Sequence, residues 1–281
     1  MSTAFECENG AETGAFYDEL DRFFRDIWGE HVHHGLWETG KETPAEAVLK
    51  LVDTVAELAR VRPGDAVCDI GTGYGGTARV LAGRYGANVT GLTVSSAQYR
   101  YAVAANGGAG NPAFLLRDWY ANGLPEGSFD AAVGVESFAH MPDRAGALAE
   151  AYRVLKPGGR LVLCLWLAGE SPRRWQRGHL LEPIVDEGRL GGLVPQSEYR
   201  RLLAGAGFEL DTFRDASHEV ARTWTICIRR TLAGLWRHPE YRHYLRDPGN
   251  RNRRFFWSLF RIRAAFAVGA MRYGIVAAHR D

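Results

Sequence analysis

"VCDIGTGYGG", residues 67–76, runs an apolar segment through Asp69 and then places Gly71, Gly73, Gly75 and Gly76 within seven positions. Between a strand and a helix, such a side-chain-free turn lets backbone amides approach a ligand at the helix N-terminus. Around it, strand-like and helix-like segments alternate. AVCDI (66–70), GGTARVLAGRYG (75–86), NVTGLTV (88–94), SSAQYRYAVAANGG (95–108), AFLLRD (113–118), FDAAVGV (129–135), a helix over 144–155 and GRLVLCLWLA (159–168) follow in order. A helix over 196–206, then FELDTFRD (208–215) and YGIVAAH (273–279), completes seven strands. Apolar strands separated by helices predict an α/β fold with a doubly wound, mostly parallel seven-stranded sheet.

The flanks of this core carry different patterns. Phe16, Tyr17, Leu20, Phe23, Phe24 and Ile27 recur at helical spacing, and the aromatic, histidine-rich IWGEHVHHGLW (27–37) after them reads as a loop. Thr43 and Pro44 are an N-cap and first-turn pair for a helix over 44–60, which RPGD ends. Residues 1–40 are expected to form a helical lid, and 41–168 the ligand-binding core. Residues 169–281 complete the core, with cap insertions at 169–195 and 219–272, all within one domain.

At 46% hydrophobic and 24% charged, the 281 residues can bury a sizeable core. The net charge of +1 argues against a nucleic-acid footprint. Cys7, Cys68, Cys164 and Cys227 form no CxxC pair and read as reduced thiols. No apolar run is long enough to span a membrane, and the polar, acidic amino terminus lacks a leader pattern, so a cytoplasmic location is expected.

Three neighbours of the glycine turn bear on its ligand. The second strand ends in Thr93, where a nicotinamide enzyme would place a ribose-binding acid. Asp69, ahead of the glycines, suits a cationic amino-acid end better than a pyrophosphate. In LLRDWY, Asp118 can accept from an adenine amino group and Trp119 can pack on its ring.

With YDELDRFFRDIWGEHVHHGLW, the glycine turn, GLTVSSAQ, GVESFAHMPD and LKPGGRLVL, the chain resembles the class I S-adenosylmethionine-dependent methyltransferases. The closer likeness is to the group that holds tocopherol methyltransferases, cyclopropane synthases and natural-product methyltransferases. It covers residues 13–168 best and implies a Rossmann-like sheet with S-adenosyl-L-methionine as cofactor. It further implies that Asp69, Gly71 and Gly73 line the methionine part, Thr93 and Gln98 the ribose, and Asp118 and Trp119 the adenine. Tyr17 and Trp37 would cover the donor from the N-terminal side. Thr93 departs from the acid usual in class I enzymes.

Methyl transfer asks the protein mainly for alignment and desolvation, with a base only where the acceptor must lose a proton. Glu136 and His140, four apart after the fourth strand, would orient one another, with His140 as base; the alternative is a structural histidine. Past the fifth strand, Glu170 would stabilise or deprotonate a carbocation formed from an alkene. Arg173, Arg174 and Arg177 would hold an anionic head group, with Mg2+ only if that group is a diphosphate. A helix cap and a solvated arginine face are the alternative. HVHH lacks the partner pair of a zinc site, so no metal is assigned, and His33 and His34 are placed against the acceptor with Trp224. The aromatic stripe Trp224, Trp236, Phe255, Phe256, Trp257, Phe260 and Phe266 fits a lipophilic acceptor, a core face or a homo-oligomer contact. The arginines around it suit an acidic partner, a membrane-derived substrate or plain solvation.

The expectation is a methyltransferase acting on a small lipophilic natural product in secondary metabolism, by C-methylation of an isoprenoid or prenyl diphosphate group. Its alternative is O- or N-methylation of an aromatic or alkaloid-like acceptor. A nicotinamide oxidoreductase and a non-catalytic nucleoside-binding subunit are the rivals from other classes.

Overall fold

The computed structural model describes residues 3–281, with side chains from residue 10 onward. Helices α1 (Thr3–Glu19) and α2 (Asp21–Ile27) come first. The helical pattern read through Phe16 to Ile27 thus begins at Thr3 and breaks at Leu20, whose φ of −97° and ψ of 9° end the first helix. After a loop, α3 (Pro44–Leu58) opens on a capping box in which Thr43 and Glu46 satisfy one another's backbone amides.

Strand β1 (Ala66–Ile70) is followed by α4 (Gly76–Tyr85), β2 (Asn88–Thr93), α5 (Ser96–Ala105), β3 (Ala113–Leu116), β4 (Phe129–Val135), α6 (Arg144–Val154) and β5 (Leu155–Ala168). The short α7 (Arg174–Gln176), a π-helical turn (Arg177–Leu181) and α8 (Glu182–Glu187) fill the first insertion, and α9 (Gln196–Gly205) and β6 (Phe208–Asp215) return to the core. The second insertion holds α10 (Ser217–Val220), α11 (Arg222–Arg237), α12 (Pro239–Arg246) and α13 (Phe255–Ala267), and β7 (Met271–Arg280) closes the chain.

The sheet order is β3-β2-β1-β4-β5-β7-β6, with β7 antiparallel to both neighbours and the other pairings parallel. Order reverses between β1 and β4, so the crevice beyond their carboxyl ends is where a ligand is expected. β1 is apolar on both faces because both are covered. Val67 and Val89 pack with Leu51, Val55 and Leu81 of α3 and α4, and Cys68 and Ile70 with Leu148, Tyr199 and Leu203 of α6 and α9. A third apolar cluster lies above the sheet, where Phe16, Phe23 and Phe24 meet Trp224, Phe255, Phe256 and Ile262. The N-terminal helices and the second insertion therefore form one aromatic cap. Cys68, Cys164 and Cys227 are buried free thiols, and the Cys7 side chain lies outside the described residues. No helix among the described residues is long and apolar enough to cross a membrane.

Candidate active site

A cleft of about 1340 Å³, counting its open mouth, runs between the carboxyl ends of β1 to β5 and the aromatic cap. Gly71, Gly73, Thr93, Gln98, Asp118 and Trp119 line its side over β1, β2 and β3. Gly71 (φ +77°) and Gly73 (φ +57°) hold conformations that side chains disfavour. A β-carbon on Gly71 would strike Ser137, whereas one on Gly73 would meet nothing within 4 Å. Gly73 thus keeps open a space that no protein atom uses, which fits a ligand pressed against the backbone. Gly73→Val is expected to weaken S-adenosylhomocysteine binding about tenfold or more by calorimetry, with the fold retained. Unchanged affinity would contradict a donor seated on this turn.

Around the turn, Thr93 Oγ1 donates to Gln98 Oε1 at 2.8 Å, and Asp118 accepts from the Tyr120 amide at 2.8 Å, capping a short turn. Trp119 anchors its indole N–H on the Ala147 carbonyl at 2.9 Å. Asp69 is placed differently from the expectation. It does not line the cleft but lies buried behind the turn, accepting the Thr72 hydroxyl at 2.6 Å, and burial raises its pKa to about 6. Its role is to hold the turn in shape.

Helix α1 passes over this side at close range. A β-carbon on Gly10 would overlap Asp118 Oδ2, and one on Gly14 would lie 2.4 Å from the Val94 carbonyl oxygen. Asp18 then accepts from Ser95 Oγ and the Ala97 amide, tying the helix to the start of α5. The glycine spacing in GAETG was the available sequence signal for this approach.

Beyond β4, Glu136 and His140 both line the cleft but face different partners. The expectation that one orients the other is overturned, because Glu136 takes a left-handed φ of +65° and the next residues form a 3-10 turn that swings His140 away. Glu136 Oε1 accepts from the His34 amide, His34 Nδ1 and the Tyr273 hydroxyl, and Oε2 from the Trp166 indole, all at 2.8 Å. Burial alone would raise its pKa, but His34 and His33 outweigh that and bring it down to about 2. Glu136 is therefore a buried anchor for the cap, ionised and fully engaged.

His140 Nδ1 faces the Arg189 carbonyl at 3.0 Å, and Nε2 faces the Tyr17 hydroxyl at 2.9 Å. A carbonyl only accepts, so Nδ1 carries the proton and Nε2 is the basic nitrogen of the neutral ring. Burial lowers the histidine's pKa, partly countered by the carbonyl bond. Burial, then the Glu136 charge, raises that of Tyr17.

Of the acceptor residues, His34 and Trp224 stand in the cleft wall with Phe16, Phe24, Trp28 and Trp166. His33 does not. It contacts His31 at 3.2 Å and the His34 carbonyl at 2.8 Å, beside a separate crevice that also takes Trp37. Trp37 is buried away from the cleft, its indole bonded to the Glu42 carbonyl, so Trp28 and not Trp37 meets the cleft. Glu170 is also outside. Its carboxylate accepts from the amide and hydroxyl of Ser197, capping α9, because β5 stays paired with β7 as far as Ala168 and Met271 and leads the chain over the outer edge. Arg173 lies in the same outer groove, and Arg174 and Arg177 are exposed. These four residues cannot form the carbocation and head-group site expected of them.

Residues 68–163 match the family described as Methyltransferase domain. The chain is 33% identical over 226 residues to 27-O-demethylrifamycin SV methyltransferase of Amycolatopsis mediterranei, covering 78% of this chain and 81% of that one. The chain belongs to the class I S-adenosylmethionine-dependent methyltransferases. This methyltransferase is also 30% identical to the chloroplastic tocopherol O-methyltransferase of Arabidopsis thaliana, over 77% of its own length and 68% of the relative's. In fold it resembles the geranyl diphosphate C-methyltransferase of Streptomyces coelicolor A3(2), solved with Mg2+, geranyl diphosphate and S-adenosyl-L-homocysteine. That likeness has a TM-score of 0.74 at 18% identity and covers 97% of this chain and 98% of the other. Its cofactor is S-adenosylmethionine, its substrates are small molecules, and the nicotinamide and non-catalytic alternatives fall away.

Proposed function

We propose that this methyltransferase transfers a methyl group to a hydroxyl oxygen of a lipophilic small molecule, with His140 as the general base. The observation that carries the proposal is the neutral imidazole in the cleft wall, its Nδ1–H fixed on Arg189 and its Nε2 basic. When bound, S-adenosylmethionine supplies an electrophilic methyl on a sulfonium sulfur. Gly71, Gly73, Thr93, Gln98, Asp118 and Trp119 hold that cofactor over β1, β2 and β3. The acceptor lies against Phe16, Trp28, His34 and Trp224, where aromatic walls exclude water. Its hydroxyl takes the place of the Tyr17 hydroxyl at Nε2 and gives up its proton there, so the oxygen becomes a nucleophile only inside the closed cleft.

Support for O- over C-methylation comes from what faces the cleft. The alkene chemistry asks for a carboxylate free to meet a carbocation, whereas Glu136 already accepts four hydrogen bonds and Glu170 lies outside. Among the described residues Arg117 is the one arginine that lines the cleft, too few for a diphosphate, so this reading calls for no Mg2+. Two of the relatives named above are O-methyltransferases.

Labelled donor, a panel of phenols, macrolide alcohols and prenyl diphosphates, and localisation of the label by NMR test this reading. Methyl on oxygen is expected, with Glu170→Gln turning over within about twofold of the parent because its bonds are a surface cap. Methyl on carbon, or loss of turnover in Glu170→Gln, would overturn it.

A further inference from the structure

Helices α11 and α13 lie antiparallel. The His34 ring packs on Trp224 near the start of α11 and on Phe266 near the end of α13. At the other end, Phe23 packs on both Tyr241 of α12, which follows α11, and Phe256 at the start of α13. The outward faces of the two helices adjoin, since Arg263 Nε donates to Thr225 Oγ1 at 3.2 Å. On this shared face stand Leu232 (53% exposed) and Trp236 (82%) from α11, and Trp257 (64%) and Phe260 (41%) from α13. Large apolar side chains grouped on one surface mark an interaction site, because each is costly to leave in water.

Charge is the second, independent feature. Residues 222–263 hold eleven arginines against two acids, Glu240 and Asp247, in a chain whose total net charge is +1. The rest of the molecule is acidic, and the positive charge is gathered on the second insertion. Arg229, Arg237, Arg253 and Arg254 pair with no carboxylate among the described residues. Arginines without a carboxylate partner, on α11 and in the turn before α13, beside outward tryptophan and phenylalanine, match an anionic bilayer surface, where indoles settle among headgroups and guanidinium groups meet phosphate.

We propose that the outward face of α11 and α13 docks on an anionic lipid bilayer. The opposite side of α13 gives the docking a purpose. Phe255, Ser258 and Ile262 on that side form part of the cleft wall, so a docked enzyme holds its acceptor cleft one helix away from the lipid phase. This is surface attachment and needs no spanning segment.

Full-length protein is sedimented with vesicles of phosphatidylcholine alone and with vesicles of about one-third phosphatidylglycerol, at low and high salt. Binding is expected only to the anionic vesicles at low salt, with a blue-shifted tryptophan emission. The double variants Trp236→Ala with Trp257→Ala, and Arg253→Glu with Arg254→Glu, should each weaken it about tenfold or more. S-adenosylhomocysteine affinity, read by calorimetry, should be unchanged in both and so shows that the fold is intact. Absence of binding to anionic vesicles at low salt would overturn the proposal, as would binding that both variants retain. So would a dimer in sedimentation equilibrium that the tryptophan variant dissociates, because a second copy would then cover the face. A polyglutamate peptide bound as tightly as the anionic vesicles, by parent and tryptophan variant alike, would show that charge alone acts and would also overturn it.

Discussion

His140→Gln is expected to lower kcat by about 10²- to 10⁴-fold while S-adenosylhomocysteine binds within about twofold of the parent. Glutamine fills a similar volume and can still bond to Tyr17 and to the Arg189 carbonyl, so the cleft keeps its shape and loses only its base. The pH profile gives a second reading. Only the neutral imidazole can take a proton, and burial disfavours the charged form, so the active form persists below the ordinary histidine value of 6.5. The acid limb of kcat/KM should therefore lie below pH 6.5, with a plateau through neutrality. Near-parental turnover of the variant, or an acid limb above pH 7 that survives it, would remove His140 from the chemistry.

Glu136→Ala is expected to cost about 3–5 kcal/mol of stability, because it strands the donors of His34, Trp166 and Tyr273 in a dry interior. For a chain of this length that is a melting-temperature loss of roughly 5–15 °C. Its folded pKa of about 2 lies below the ordinary 4.5, so the ionised form stabilises the fold above that ordinary value. That contribution is lost as pH falls toward 2. Thermal melts at pH 7, 5 and 3 should show the parent losing its advantage over Glu136→Gln as the solution acidifies. A variant that melts with the parent at pH 7 would show that the anchor carries no load.

The parallel core was readable because β1, β2 and β4 are covered on both faces, and that leaves mainly apolar segments between the helical ones. The glycine turn was readable for a related reason, since Gly71 and Gly73 hold backbone angles that other residues resist. The errors share a different cause. Glu170 follows β5 in sequence, but which way the chain leaves is decided by pairing with β7, whose first residue lies about a hundred positions later. Glu136 and His140 are four apart, yet one left-handed residue sends them to separate partners. Trp28 and Trp37 lie in the same aromatic loop, and contacts distant in sequence, with Glu219 and Arg222, help to hold Trp37 away from the cleft. The first turns of α1 carry no apolar stripe, and packing through Gly10 and Gly14 places them.

Gly10 and Gly14 seat α1 against Asp118 and Val94 on one side of the cleft, and Tyr17, less than one turn beyond Gly14, reaches His140 on the other. A single rod thus lies across both sides of one cleft. Contact closer than any β-carbon allows ties both sides to one helix, so a side chain added at Gly10 or Gly14 would disturb Tyr17 and His140 as well as Asp118.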